Sequence, residues 1–235
     1  MIRDYDSVEK FARMVIPRGC VLCGKVVGHS VLLCDECEPE AAADIMSGCP
    51  RCAKSKDKCI CAQTPEPWAF EGAFAALLYT GRVRDAIIRL RTLPDRRIAR
   101  FLALETAALF RYRYPSSYFD IITELPAPEQ ETAKRGYSHT EMLAGGVAHL
   151  LKIPHRTRLL GCRMPALPPD SPLPPQERAA AERERYEMKI KQVAGRHLLL
   201  VDDIFITGAS LNAGAKILLE NGAASVFVLC AACKE

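Results

Sequence analysis

The sequence predicts an α/β protein, with a mainly parallel sheet covered by helices on both faces and a small metal-folded module ahead of it. Three observations lead there. Strand-length apolar runs alternate with helical spacing from residue 70 onward, the pattern of strands joined by crossover helices. One of them, His197-Leu198-Leu199-Leu200-Val201, is apolar almost throughout, as a strand buried on both faces requires. Residues 17–61 hold clustered cysteines with Pro and Gly between them and few long apolar side chains, so this segment needs metal to fold.

The bulk properties agree. A hydrophobic content of 49% over 235 residues is that of a packed globular protein. No apolar run approaches bilayer length, and Met1 to Lys10 carries charges of both signs where a signal peptide has an apolar core. The expectation is a cytoplasmic protein without membrane insertion. Eleven cysteines in a reducing compartment are then read for metal and not for disulfides.

Eight of them answer to that reading. Cys20/Cys23, Cys34/Cys37 and Cys49/Cys52 are CxxC knuckles, and Cys59/Cys61 is a tighter CxC. Each knuckle points two thiolates at one tetrahedral cation, so the four supply one or two closed structural zinc sites. Sequential pairing, Cys20/Cys23/Cys34/Cys37 and Cys49/Cys52/Cys59/Cys61, is the simplest topology, with an interleaved one as the alternative. Cys162, Cys230 and Cys233 read as packing, since residues three apart on a strand face opposite sides. The formal charge of +4 falls to about zero with two such zinc sites, so global basicity does not argue for nucleic acid.

Residues 1–65 are expected to form the metal module with a leading helix, and residues 66–235 the α/β domain. Gln63 to Pro67 is a linker and Phe70 to Thr80 a strand or hairpin. Helical patterns over Val83–Leu93 and Arg96–Tyr112 are separated at Pro94, which lacks an N–H and clashes with the preceding turn. Asp120–Leu125 is a short strand ended by Pro126 and Pro128. Tyr137–Leu151 returns to helical spacing, Pro165–Pro175 is a proline-rich loop, and Ser225–Ala231 is the final strand. The arginines from Arg82 to Arg113, among them Arg82, Arg84, Arg89 and Arg91, are either solvated helix faces or a phosphate-binding surface. Tyr79, Phe101, Phe110, Tyr112 and Tyr114 are the aromatics near enough to stack bases there.

The chemistry-bearing stretch follows the apolar strand. Asp202 and Asp203 stand at its carboxyl end, where open α/β sheets place ligands. After Ile204 to Ile206 the chain turns through Thr207-Gly208-Ala209-Ser210 into a helix from about Leu211 to Glu220. Small residues and hydroxyls at a helix N-terminus suit a terminal phosphate, and the carboxylates suit a ribose diol or hydrated Mg²⁺.

This run, LLLVDDIFITGAS, resembles the phosphoribosyl pyrophosphate (PRPP) motif of the type I phosphoribosyltransferases. The resemblance implies that Asp202 and Asp203 hold the ribose hydroxyls, that Thr207 to Ser210 hold the 5′-phosphate, and that Mg²⁺ accompanies PRPP. Ile206 departs from the hydroxyl residue common at its position. Together with the cysteine knuckles, the Tyr79 to Arg91 stretch, Leu125-Pro126-Ala127-Pro128 and Lys134-Arg135-Gly136-Tyr137, the motif resembles the ComF family, also called GntX-like, over nearly the whole chain. Members typically carry Arg-Gly-Phe-Asn-Gln where this chain has Arg135-Gly136-Tyr137-Ser138-His139. Their Glu-Arg followed by Asn corresponds to Glu182-Arg183 and Tyr186.

That family implies a phosphoribosyltransferase-like domain behind a double zinc ribbon, acting in natural transformation with single-stranded DNA and other transformation proteins. Lys134 and Arg135, in the loop after the prolines, are the candidates to meet pyrophosphate; Arg82, Arg84, Arg89 and Arg91 are the candidates to meet DNA. The alternative is a metabolic phosphoribosyltransferase, in which a nitrogen nucleophile displaces pyrophosphate from PRPP and the ribbon is a brace.

Overall fold

The computed structural model describes residues 18–28, 31–38, 48–64, 66–114, 118–165 and 172–235. The expected leading helix and most of the proline-rich loop lie outside them. Among the described residues no helix is long and apolar enough to cross a membrane.

Four parallel strands form the central sheet: β3 (Gly72–Leu78), β4 (Ile121–Glu124), β7 (His197–Phe205) and β8 (Ser225–Cys233), in the order β3-β8-β7-β4. β7 and β8 are central, and β8 is buried at every position. Alternation along β7 divides the core. Leu199 and Val201 face one layer, with helices α1 (Gly81–Thr92), α2 (Arg96–Arg113) and α4 (His139–Leu151). Leu198 and Leu200 face the other, with α6 (Ala209–Glu220) and a two-stranded antiparallel sheet of β5 (Leu160–Cys162) and β6 (Tyr186–Met188). Cys230 and Cys233 are buried in β8 and Cys162 in β5, the packing role expected of them.

Several elements go beyond those expected, a helix over Pro175–Arg185 among them, and two are instructive. The stretch after Pro128, expected as a loop, is helix α3 (Glu129–Arg135). Glu129 and Glu131 occupy its first turn and Lys134 and Arg135 its last, which suits the helix dipole, and Gly136 closes it at φ 75°. The second is the β5–β6 ribbon, whose strands are separated by the proline-rich loop and α5 (Pro175–Arg185), so no hairpin signal marks them. The break expected at Pro94 is present, and Asp95 caps α2 by accepting from the Arg97 and Ile98 amides.

The N-terminal module is built on the sheet. Its first part pairs β1 (Arg18–Gly19) with β2 (Val26–Val27) and sits on α1, where Arg89 donates to the carbonyls of Val21 and Leu22 and Arg82 Nη1 to Cys37 Sγ at 3.2 Å. Its second part meets edge strand β3, where the Ala73 amide donates to Pro50 O at 3.0 Å. Gly72 has no side chain because a Cβ there would lie 2.7 Å from that carbonyl oxygen. Lys54 Nζ reaches Lys234 O at the end of the chain.

Helix α1 is tied to the sheet by one buried carboxylate. Arg91 donates from Nε to Asp203 Oδ2 at 2.6 Å and from Nη2 to Oδ1 at 2.8 Å, a bidentate pair across 112 positions. His139 Nε2 stands 3.3 Å from the same Oδ2. Burial opposes the charge on Asp203, but Arg91 and His139 outweigh it and hold the carboxyl well below its usual range. The stabilisation is thus present above the unfolded carboxyl pKa and lost only as pH falls through the depressed folded value. Arg91→Ala is expected to lower unfolding free energy in urea by about 2–3 kcal/mol at neutral pH, at the low end for a broken buried pair because Arg91 stays partly solvated. The gap should narrow in acid, since the variant's Asp203 protonates first; a gap unchanged from pH 7 to pH 3 would show that the charge pair is not its source.

Candidate ribose-phosphate cavity and metal centres

Two groups of four cysteines assemble among the described residues, Cys20/Cys23/Cys34/Cys37 and Cys49/Cys52/Cys59/Cys61, with all sulfurs of a group within 4.8 Å of one another. The sequential pairing is the one the fold adopts. Cys23 and Cys34 sulfurs are 3.6 Å apart, Cys49 and Cys61 3.8 Å, and Cys52 and Cys59 3.7 Å. A tetrahedron with Zn–S bonds of about 2.3 Å has edges of about 3.8 Å, so the donor sets fit Zn²⁺. The electrostatics fit as well. Burial raises the Cys20 thiol, yet the amides of Cys23, Cys34 and Leu22 bring it down to about 6; those of Arg51 and Cys52 bring Cys49 to about 7. Burial first, then the neighbouring thiols, pushes Cys37 up to about 12. Clustering thiols where only some ionise readily is a mismatch that a divalent cation removes.

The second feature is a cavity of about 890 Å³ at the carboxyl end of β7. Its walls include Asp202, Asp203, Ile204, Ile206 and Thr207 to Ser210, so every residue singled out around the strand's exit is in one place. β4 ends at Glu124, opposite Val201, while β7 and β8 remain paired as far as Phe205 and Cys233. The carboxylates therefore stand beyond the β4 edge, beside open space.

Neighbours on a strand alternate, and the two acids differ accordingly. Asp203 points to the α1–α4 layer and is 1% exposed, its oxygens taken by Arg91 and His139. Asp202 is half-buried on the other side. Burial, then the charge on Asp203, raises its carboxyl well above the usual range. Of the pair, Asp202 is the one left to answer a ligand.

Beyond them the loop is shaped for an anion. Gly208 has φ 72° at the N-cap of α6, and a Cβ there would lie 2.8 Å from both the Trp68 and Phe205 rings, so the position requires glycine. Thr207 Oγ1 accepts from the Ala209 amide at 3.4 Å, and Ile206 and Thr207 are exposed at the mouth.

A buried pair that the sequence reading passed over completes this wall. Glu182 and Arg185 of α5 form an ion pair, Ser210 Oγ donates to Glu182 Oε2 at 2.7 Å, and Arg185 Nη1 donates to Ser210 Oγ at 3.3 Å. Arg185 also lies over the Tyr186 ring, 5.1 Å from its centroid. Arg183, the neighbour picked out by the family pattern, pairs with Glu220. The available signal was the Glu-x-x-Arg spacing, which puts 182 and 185 on one helical face.

The remaining candidates separate. Arg135 lines the cavity, donating to Arg91 O at 3.1 Å and pairing with Glu131, whereas Lys134 is exposed and lines no part of it. Tyr137, next along, donates to Leu90 O at 2.9 Å. Of the four arginines singled out on α1, Arg82, Arg89 and Arg91 make the internal contacts already given, and Arg84 is exposed beside Asp85. Phe101 and Phe110 are in the core; Tyr112 is exposed.

No family model matches the chain. The DNA utilization protein YhgH of Salmonella typhimurium is 26% identical over 226 residues, covering 90% of this chain and 88% of its own. Competence protein ComFC of Bacillus subtilis is 23% identical over 185 residues, covering 75% and 73%. A solved purine phosphoribosyltransferase from Pyrococcus horikoshii overlaps 56% of this chain and 71% of its own at 16% identity and a TM-score of 0.36. The fold assignment rests on the parallel sheet and its loop and not on that overlap. Over most of its length the chain is a homologue of the YhgH and ComFC proteins, as its resemblance to the ComF family implied.

Proposed function

We propose that this protein binds PRPP, or a ribose 5-phosphate-like ligand, together with Mg²⁺ in the cavity at the end of β7, and serves as an accessory factor in natural transformation that contacts single-stranded DNA. The observation that carries the first part is the convergence of Asp202 and the Thr207 to Ser210 loop on one cavity of small-molecule size. Loop amides at the start of α6 would take the 5′-phosphate, and the Thr207 hydroxyl, whose oxygen accepts from Ala209, would add a donor. Asp202 would face the ribose diol or a hydrated Mg²⁺, which takes one or two carboxylates beside phosphate oxygens. Burial and then Asp203 push its carboxyl toward the neutral form, and an arriving cation would reverse that preference. Arg135, on the wall formed by α3, would meet the pyrophosphate.

The DNA role is supported by the names of the YhgH and ComFC relatives and by the exposed cations. Because Arg89 and Arg91 are engaged inside the molecule, we assign contact with phosphates to Arg84 and to Arg96 and Arg100, exposed one turn apart on α2. Both tetracysteine groups would hold structural Zn²⁺, closed sites whose binding energy is folding energy.

Three measurements test this. Calorimetry with PRPP and Mg²⁺ should give saturable binding that weakens about tenfold or more in Asp202→Asn, on the order of one lost charge-assisted contact; an intact protein that takes up neither PRPP nor ribose 5-phosphate sinks the reading. Release of pyrophosphate on adding a nucleobase or amine would instead assign the metabolic transferase. The slope of log affinity for single-stranded DNA against log salt should flatten by about 0.7 per lost phosphate contact in Arg96→Ala with Arg100→Ala; salt-independent or absent binding overturns the DNA role. Freshly purified protein should carry about two zinc per chain, and chelation should lower its Tm. Folded protein nearly free of zinc would refute the metal assignment.

A further inference from the structure

The ribose-phosphate cavity has a wall that belongs to the metal module. Ile60, between Cys59 and Cys61 of the second tetracysteine group, and Thr64, Glu66 and Trp68, on the chain from that group to β3, line the same space as the Thr207 to Ser210 loop. A brace that merely stabilised the domain would have no need to enter its ligand cavity.

Trp68, the single tryptophan of the chain, is where the two meet. Its ring stacks on Phe70 at 5.0 Å between centroids and lies edge-on to Phe205 at 6.3 Å. It also rests against Gly208, where even a methyl group would collide with it at 2.8 Å. The ring thus backs the loop residue whose left-handed conformation starts α6. At its other end the indole Nε1–H is buried without a hydrogen-bond partner of normal geometry. Trp68 packs with Ile60 and Cys61 against one apolar cluster, so the ring and the second cysteine group share a support. A buried donor without an acceptor is held there by packing alone, so the place of the ring depends on the chain that carries it from Cys61.

The chain around Trp68 is fastened to α6 as well. Asn212, buried one turn into that helix, accepts from the Ala69 amide at 2.7 Å and donates to Glu66 Oε1 at 3.3 Å, and Lys216, a turn further on, pairs with Glu66. The second cysteine group and the Thr207 to Ser210 loop are therefore joined through the chain from Ile60 to Trp68 and through Gly208, with Asn212 closing the frame.

We infer that Trp68 is a positioning residue that makes phosphate-ester binding depend on metal in the Cys49/Cys52/Cys59/Cys61 group and not on metal in the Cys20/Cys23/Cys34/Cys37 group. It rests on the proposed ribose-phosphate reading of the cavity. With metal bound, the Cys59-Ile60-Cys61 turn is fixed, the chain from it holds the indole in place, and the indole holds the loop. Without it, the chain from Cys61 to Phe70 loses its anchor and the cavity loses one wall.

The test uses the full chain, with ribose 5-phosphate as the probe and Trp68 emission, zinc content and calorimetry as readouts. Cys61→Ser should lose about one zinc, shift the Trp68 emission and bind ribose 5-phosphate about tenfold more weakly, the scale of losing a ligand-orienting contact. Cys23→Ser should lose a comparable amount of zinc yet keep its affinity within about threefold. Should Cys61→Ser fail to fold, the zinc-replete pair Trp68→Ala and Trp68→Phe decides the matter. The alanine should weaken binding about tenfold, and the phenylalanine, which retains a ring against Gly208, should recover most of it. Equal affinity in Trp68→Ala and the intact protein, or an equal loss in Cys23→Ser and Cys61→Ser, overturns the inference alone. No binding by the intact protein overturns the ribose-phosphate reading and this inference with it.

Discussion

Two adjacent carboxylates at the exit of a strand buried on both faces impose the constraint on which the rest of this structure turns. Side chains alternate along β7, so Asp202 and Asp203 enter different layers, and neither layer tolerates an uncompensated charge. The fold answers each differently. Asp203 stays ionised and takes Arg91 and His139 as partners, which draws the ends of α1 and α4 onto the sheet. Asp202 is raised toward its neutral form beside the cavity, by burial and by the charge on Asp203.

The departures from the ComF pattern are legible against that constraint. His139 stands where members typically carry an amide, and it is the second partner of Asp203. Tyr137 keeps the aromatic and adds a hydroxyl that ties the α3–α4 turn to Leu90 O. Tyr186, in place of an Asn, puts its ring under Arg185 and its phenol, raised by burial, in the same layer as Asp202. Around them, two hydrogen-bonded groups line the cavity, Arg135, Arg91 and Asp203 on one side and Glu182, Arg185 and Ser210 on the other.

The metal module is likewise tied to the domain by specific bonds. Arg82 and Arg89 bind the first cysteine group to α1, and the second group is seated on β3 and on Lys234. A closed tetrahedral centre suits this task, because it fixes short loops rigidly where too little apolar surface is available to do so. Edge strand β3 gains a cover by the same arrangement, which leaves less of its backbone open to pairing with another chain.

What the residues determined unaided was the local part: the knuckle spacing of the eight cysteines, the apolar β7 run with its acids, the small-residue turn into α6, and the helix break at Pro94. Each depends on neighbours a few positions away, through metal-ligand geometry, strand alternation or backbone sterics, and so can be read along the chain. Tertiary structure alone decided which of the many arginines are interior, why Arg185 and not Arg183 stands at the loop, and that Trp68 rests against Gly208. An arginine's local spacing is the same whether it meets water or a carboxylate 112 positions away; only the packing of layers chooses between them, by leaving one buried acid to be neutralised.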